Sequence, residues 1–165
     1  VRRDDREERM NDMAQLAAAY RTATDVFIAA AAQVTDANID VRHPDGWSAR
    51  QIVHHMADSE AQSYARLRRL LAEPGSTIQG YDEDAWSRNP KLGYEALPIE
   101  NALAVFVAVR AASLDLVQRL APADLELNGE HTERGRFTVA DWLRIYSNHP
   151  RDHAEQLLKA LRGEA

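Results

Sequence analysis

Between glycine- and proline-bearing breaks, the chain runs in long stretches whose apolar residues recur every three to four positions rather than alternating. This periodicity restricts it to helices packed through amphipathic faces. Met13, Leu16, Ala17, Tyr20, Thr24, Phe27, Ile28 and Ala31 make the first stripe, and the charged residues before Met10 form its solvated first turns or a frayed end. Ser48 with Gln51 has the pattern of a capping box. It opens a second helix that carries Ile52, Met56, Ser59, Ser63, Leu67 and Leu70 and runs towards Pro74-Gly75. Pro98 suits the first position of a third helix, an alanine-rich run to Leu120 before Pro122. Thr138 with Asp141 opens a fourth, with Val139, Trp142, Leu143, Tyr146, Leu157 and Leu161 on its apolar stripe. No repeat or linker interrupts the 165 residues, enough for one sizeable core. The expected architecture is all-α: one four-helix-bundle domain over residues 1–165, with long connecting loops.

The third helix is apolar on two sides. Leu103, Phe106, Val107, Leu114 and Val117 share one face, while Val105, Val109, Ala112 and Leu116 lie roughly opposite at about 100° per residue. One side should meet the bundle, the other the long loop from Glu73 to Leu97 or a second subunit. A homodimer is expected on this ground, with Val105, Val109 and Leu116 at or near the interface.

The absence of cysteine excludes disulfides, thiolate metal sites and a cysteine nucleophile. A net charge of −6 argues against a nucleic-acid partner, although Arg66, Arg68 and Arg69 cluster locally. No apolar run approaches membrane-spanning length, so a soluble, cytoplasmic protein is expected, with no membrane partner.

Six histidines carry the chemical signal. His149 and His153 are four apart, on one face of a helix, and can offer two imidazoles to a single ion. Neighbouring His54 and His55 differ by about 100° in direction. His55 falls beside the stripe of Ile52, Met56 and Ser59, whereas His54 points towards the opposite side. His55, His149 and His153 can therefore converge inside the bundle as three neutral nitrogen donors. Such a set leaves coordination positions open and suits catalysis by zinc or a similar divalent ion. Asp58, Asp152 and Glu155 are placed to orient the ligands, with Glu155 the better fit to an ordinary surface acid. His131, in the turn-rich segment 128–136, can line the mouth of the site, and His43 sits in a loop before Trp47. Tyr64, Arg66, Tyr81, Trp86 and Arg134 are candidates for shaping a substrate cavity, although Tyr81 and Trp86 fit better as pins for the long loop. Pro150, between the paired histidines, predicts a kink or a widened turn, because it has no amide donor and its ring crowds the Tyr146 carbonyl.

The segment from Gly46 to Glu60, with Trp47-Ser48 at the helix start and His55 eight residues after the tryptophan, resembles the second-helix signature of the DinB-like superfamily, especially its YfiT-like branch. Tyr81-Asp82-Glu83-Asp84-Ala85-Trp86 and the later His131, Gly135, Thr138, His149 and His153 are similar to the same branch. The resemblance implies a DinB-like bundle holding a divalent ion, often nickel or zinc, on residues corresponding here to His55, His149 and His153. It further implies frequent homodimers, and relatives that include bacillithiol and mycothiol S-transferases, thiol-dependent maleylpyruvate isomerases and proteins named as metal-dependent hydrolases.

The function expected from these readings is metal-dependent transfer of a low-molecular-weight thiol cosubstrate to an electrophile, through a thiolate held on the metal. The alternatives are a hydrolase using hydroxide in the same place, or a non-catalytic metal- or ligand-binding bundle.

Overall fold

A computed structural model of the chain describes residues 3–164. Its helices are α1 (Arg3–Ala31), α2 (Ala49–Ala72), the short α3 (Glu83–Arg88), α4 (Glu100–Val117) and α5 (Val139–Ala160). Both expected capping boxes form. Ser48 and Thr138 each accept the backbone N–H three residues on, and Gln51 and Asp141 reach back to the cap N–H. α1 packs along α5, and α2 along α4 and α5. The consecutive helices α1 and α2 therefore occupy opposite corners of the bundle, joined by residues 32–48.

The core divides into two apolar clusters, one around Phe27, Ile52, Met56, Phe106 and Leu157, the other around Tyr20, Leu67, Leu70, Val117 and Trp142. Each such side chain contributes about 1.5–3 kcal/mol on burial. Between the clusters lies Arg110, only 1% exposed. Its Nε donates to Thr24 Oγ1 (2.8 Å), Nη1 to Glu60 Oε1 (3.1 Å) and the Tyr146 carbonyl (2.7 Å), and Nη2 to the Tyr20 carbonyl (2.7 Å). The guanidinium also stacks 3.5 Å from the centre of the Tyr20 ring. One side chain thus ties all four long helices together. The Tyr146 carbonyl is the one that would have bonded the amide of residue 150, and proline has none. Arg110 takes that place, and α5 runs unbroken through Pro150.

Arg110 also sets the face that α4 turns inward. The buried line is Ala102, Phe106, Arg110, Ser113 and Val117, so Val107, expected on the core face, is 41% exposed. The helix begins at Glu100, beyond Pro98, and ends at Val117 rather than Leu120. The segment from Glu73 to Leu97 lies over α2, through Tyr94 Oη donating to Asp58 (2.7 Å) and Arg50 to the Leu97 carbonyl (3.0 Å). The second apolar face of α4 is left with Val105 43% exposed and Val109 and Leu116 half-buried.

A three-stranded sheet departs from the purely helical expectation. β1 (Thr77–Ile78) pairs in parallel with β2 (Asn128–His131), which pairs antiparallel with β3 (Gly135–Thr138). Gly135 takes the left-handed backbone of the hairpin turn (φ 73°). Any Cβ on Gly129 would fall 2.5 Å from the Ser76 carbonyl oxygen, so the close approach of β1 requires glycine there. This sheet draws the segment after α2 against the hairpin before α5 and sets Tyr81, Glu83 and His131 around one cleft.

Candidate metal centre

His55 on α2 and His149 and His153 on α5 meet through their Nε2 atoms, His149 lying 3.3 Å from His55 and 3.0 Å from His153. Among the described residues, these three form a group whose ligand atoms all lie within 4.8 Å of one another. Gln156 Oε1 accepts from His153 Nδ1 at 2.7 Å, which leaves the His153 Nε2 lone pair facing the other two rings. His149 Nε2 thus faces two nitrogens at once, and a hydrogen on it serves only one of them. The Nδ1 atoms of His55 and His149 are buried without a partner. A cation at the point of convergence accepts all three lone pairs. Two nitrogens on one zinc-like ion lie roughly 3.3–3.4 Å apart, close to the spacing found. The donor set therefore fits a divalent metal.

Burial favours the neutral rings. It lowers the His55 pKa to about 3 and, with the charges of His153 and His55 adding to it, that of His149 to about 2; His153 is lowered too, again chiefly by burial. In the unfolded chain these rings regain their ordinary value near 6.5 and take up protons that the folded site refuses. The metal-free protein should therefore lose stability as pH falls below 6.5 and keep losing it towards the folded values near 3 and 2. The slope approaches about 1.4 kcal/mol per pH unit for each of His55 and His149. Urea denaturation at pH 7.5 and 5.5 measures it, and His149→Gln should make the slope shallower.

Trp47 lies against His55, ring centres 5.0 Å apart, and Glu83 at the start of α3 brings Oε2 within 3.7 Å of His55 Nε2. Burial, followed by the charge of Asp84, raises the Glu83 carboxyl above the ordinary glutamate range. From His149 opens a cleft of about 510 Å³ whose walls include Ser59, Arg66, Tyr81, Glu83, His131, Arg134 and Tyr146.

Several candidates lie elsewhere. Asp58 is engaged by Tyr94, and Asp152 is exposed and makes no hydrogen bond to His153; Gln156 fills the orienting role expected of these acids. Glu155 pairs with Lys159 at 3.6 Å. Tyr64 is not part of the cleft wall, its ring lying beneath the Arg68 guanidinium at 3.2 Å. His54 points away from the triad and donates to the Leu97 carbonyl (3.2 Å), and His43 accepts from the Asp45 amide. Tyr81 stacks with Trp86, ring centres 4.7 Å apart, which fits loop pinning, yet also lines the cleft. Sequence reasoning missed Glu83 and Gln156. Gln156 had a signal, since it sits three residues after His153 on the same helical face; Glu83 stood only within the Tyr81–Trp86 segment that carries the resemblance, with no role of its own assigned.

The family model of the DinB superfamily matches residues 4–157. The chain belongs to that superfamily. Two similar relatives both carry the name "putative metal-dependent hydrolase". One, from Oceanobacillus iheyensis, is 34% identical over 108 residues, 66% of this chain and 61% of that protein. The other, from Bacillus mycoides, is 33% identical over 112 residues, 68% of this chain and 63% of that protein. The match therefore spans about three fifths of the length of these relatives. In fold, this DinB chain is similar to YfiT from Bacillus subtilis, described as a probable metal-dependent hydrolase with an unusual four-helix bundle topology. The TM-score is 0.70 at 24% identity, over 100% of this chain and 91% of that one. The four-helix bundle protein TT2238 shares the fold at TM-score 0.57 and 21% identity, over 90% of this chain and 97% of that one. Among the described residues, no helix is long and apolar enough to cross a membrane.

Proposed function

We propose that the chain is a divalent-metal enzyme that transfers a low-molecular-weight thiol to an electrophile, with zinc or nickel held by His55, His149 and His153. One observation carries this reading: three imidazoles, His55 buried and His149 and His153 half-buried, converge where His149 lines an open cleft of about 510 Å³, in a chain that has no cysteine of its own. The bound ion supplies the charge that keeps a weakly acidic nucleophile ionised near neutral pH. Gln156 holds the His153 ring in the binding tautomer, and Trp47 shields His55. Glu83 stands where it can accept the proton the nucleophile gives up.

That position of Glu83 also favours a second reading, hydrolysis, in which the proton comes from water. The names carried by the relatives point the same way. Assays of the zinc- and nickel-loaded protein, with a panel of thiols and a generic electrophile and with simple esters without thiol, separate the two. The expected result is conjugation that requires both ion and thiol, falls on chelation and returns with metal. Ester hydrolysis without thiol, and no conjugation, replaces this reading with the hydrolase. Neither activity despite tight metal binding replaces it with a binding protein.

The reading includes a homodimer formed through the face of α4 that carries Val105, Val109 and Leu116, supported by the exposure of Val105. Sedimentation should show a dimer at micromolar concentration that Val109→Glu weakens; a monomeric wild type removes the dimer.

A further inference from the structure

The end of the cleft away from His55 carries a set of donors that metal binding does not use. Arg66 is fixed at both tips, Nη1 donating to Tyr146 Oη (2.9 Å) and Nη2 to the Gln79 carbonyl (2.8 Å). Each of these nitrogens keeps a second N–H, and the guanidinium stays in the cleft wall. Arg134, exposed at the hairpin turn, lines the same wall. Among the described residues neither arginine forms an ion pair with an acid. His131, 4% exposed at the end of β2, lines the same wall, and burial, then the charges of Arg66 and Arg134, lower its pKa against the opposing pull of Glu133. Its Nδ1 accepts from the Glu133 amide at 3.2 Å, so the neutral ring carries its hydrogen on Nε2. Two cations and a neutral N–H donor therefore share one wall.

The acids of the cleft are differently engaged. Asp82 caps α3 by accepting from the Ala85 amide (2.8 Å), Asp84 pairs with Arg88 (3.8 Å), Glu83 leans towards His55, and the Glu133 carboxylate packs over Gly80. We infer that Arg66, Arg134 and His131 form a subsite for a carboxylate group of the substrate, so that the cleft selects a carboxylate-bearing molecule and aims its other end at the histidine triad. This names a substrate class for the proposed enzyme and rests on that reading only for what happens at the other end. The planar guanidinium matches a carboxylate fork, and four nearby acids disfavour a phosphate monoester, which concentrates up to two negative charges on one group, more than they disfavour a single carboxylate.

Titration of the full chain with glutarate, followed through the imidazole nitrogen resonances by NMR with and without bound zinc, tests the subsite without thiol, electrophile or turnover. Saturable binding that shifts His131 and leaves His54 unmoved is expected in both forms. Arg134→Gln, an exposed substitution, should weaken it at least about tenfold, the loss of one charge-assisted contact. Methyl phosphate should bind more weakly than glutarate. No saturable binding, binding indifferent to Arg134→Gln, or tighter binding of methyl phosphate overturns the carboxylate subsite. Failure of the metal or thiol chemistry leaves the metal-free titration unaffected, so the two ideas fail separately.

Discussion

Arg110→Met should destabilise the protein by about 3–5 kcal/mol, the usual consequence of stripping one partner from a buried ion pair. The loss has more than one origin. Glu60, fully buried, keeps a carboxyl that burial already pushes above the ordinary glutamate range, and loses the cation that opposes the push. The Tyr20 and Tyr146 carbonyls each lose a donor at 2.7 Å, in a place water does not reach. For a chain of this size the melting temperature should fall by at least about 6 °C. Urea unfolding of the single variant beside Arg110→Met/Glu60→Gln reads the pair separately, and the double variant should recover part of the loss. A single variant within about 1 kcal/mol of wild type would mean that Arg110 fastens nothing.

Removing any one of His55, His149 and His153 should lower metal affinity by more than about 100-fold, beyond the 10- to 100-fold that losing an outer partner costs. His54→Ala should leave it within about twofold, because that ring is turned to the Leu97 carbonyl. Competition against a chelator measures both, with circular dichroism confirming that each variant folds. Retention of metal by His55→Ala together with loss by His54→Ala would show that the wrong face of α2 has been assigned to the site.

That face was legible because helical geometry alone separates neighbouring residues by about 100°. The Ser48–Gln51 and Thr138–Asp141 boxes fixed where α2 and α5 begin, and so the phase of every ligand on them. Period and capping are local properties and survive in a single sequence. The sheet was not legible, since Thr77–Ile78 is too short to show alternation and pairs with residues some fifty positions on. Asp58 stands one turn after His55, yet Tyr94 reached it from a segment whose path no periodicity describes. Arg110 left a trace, as the one charged residue between Glu100 and Asp115. Treated as a break in an apolar face, it shifts the buried line of α4 away from Val107.

Pro150 gives the metal centre an unusual dependence. It deprives Tyr146, one turn before it, of its normal helix partner, and the carbonyl is satisfied from another helix by Arg110. The turn of α5 from Tyr146 to Pro150, which carries His149, is thus completed by a side chain of α4. Transplanting the two histidines and their proline into another bundle would carry over the ligands without the hydrogen bond that completes the turn on which His149 sits. A designer wanting this site elsewhere must move Arg110 with it, and then Glu60 and Thr24, which hold Arg110 in place.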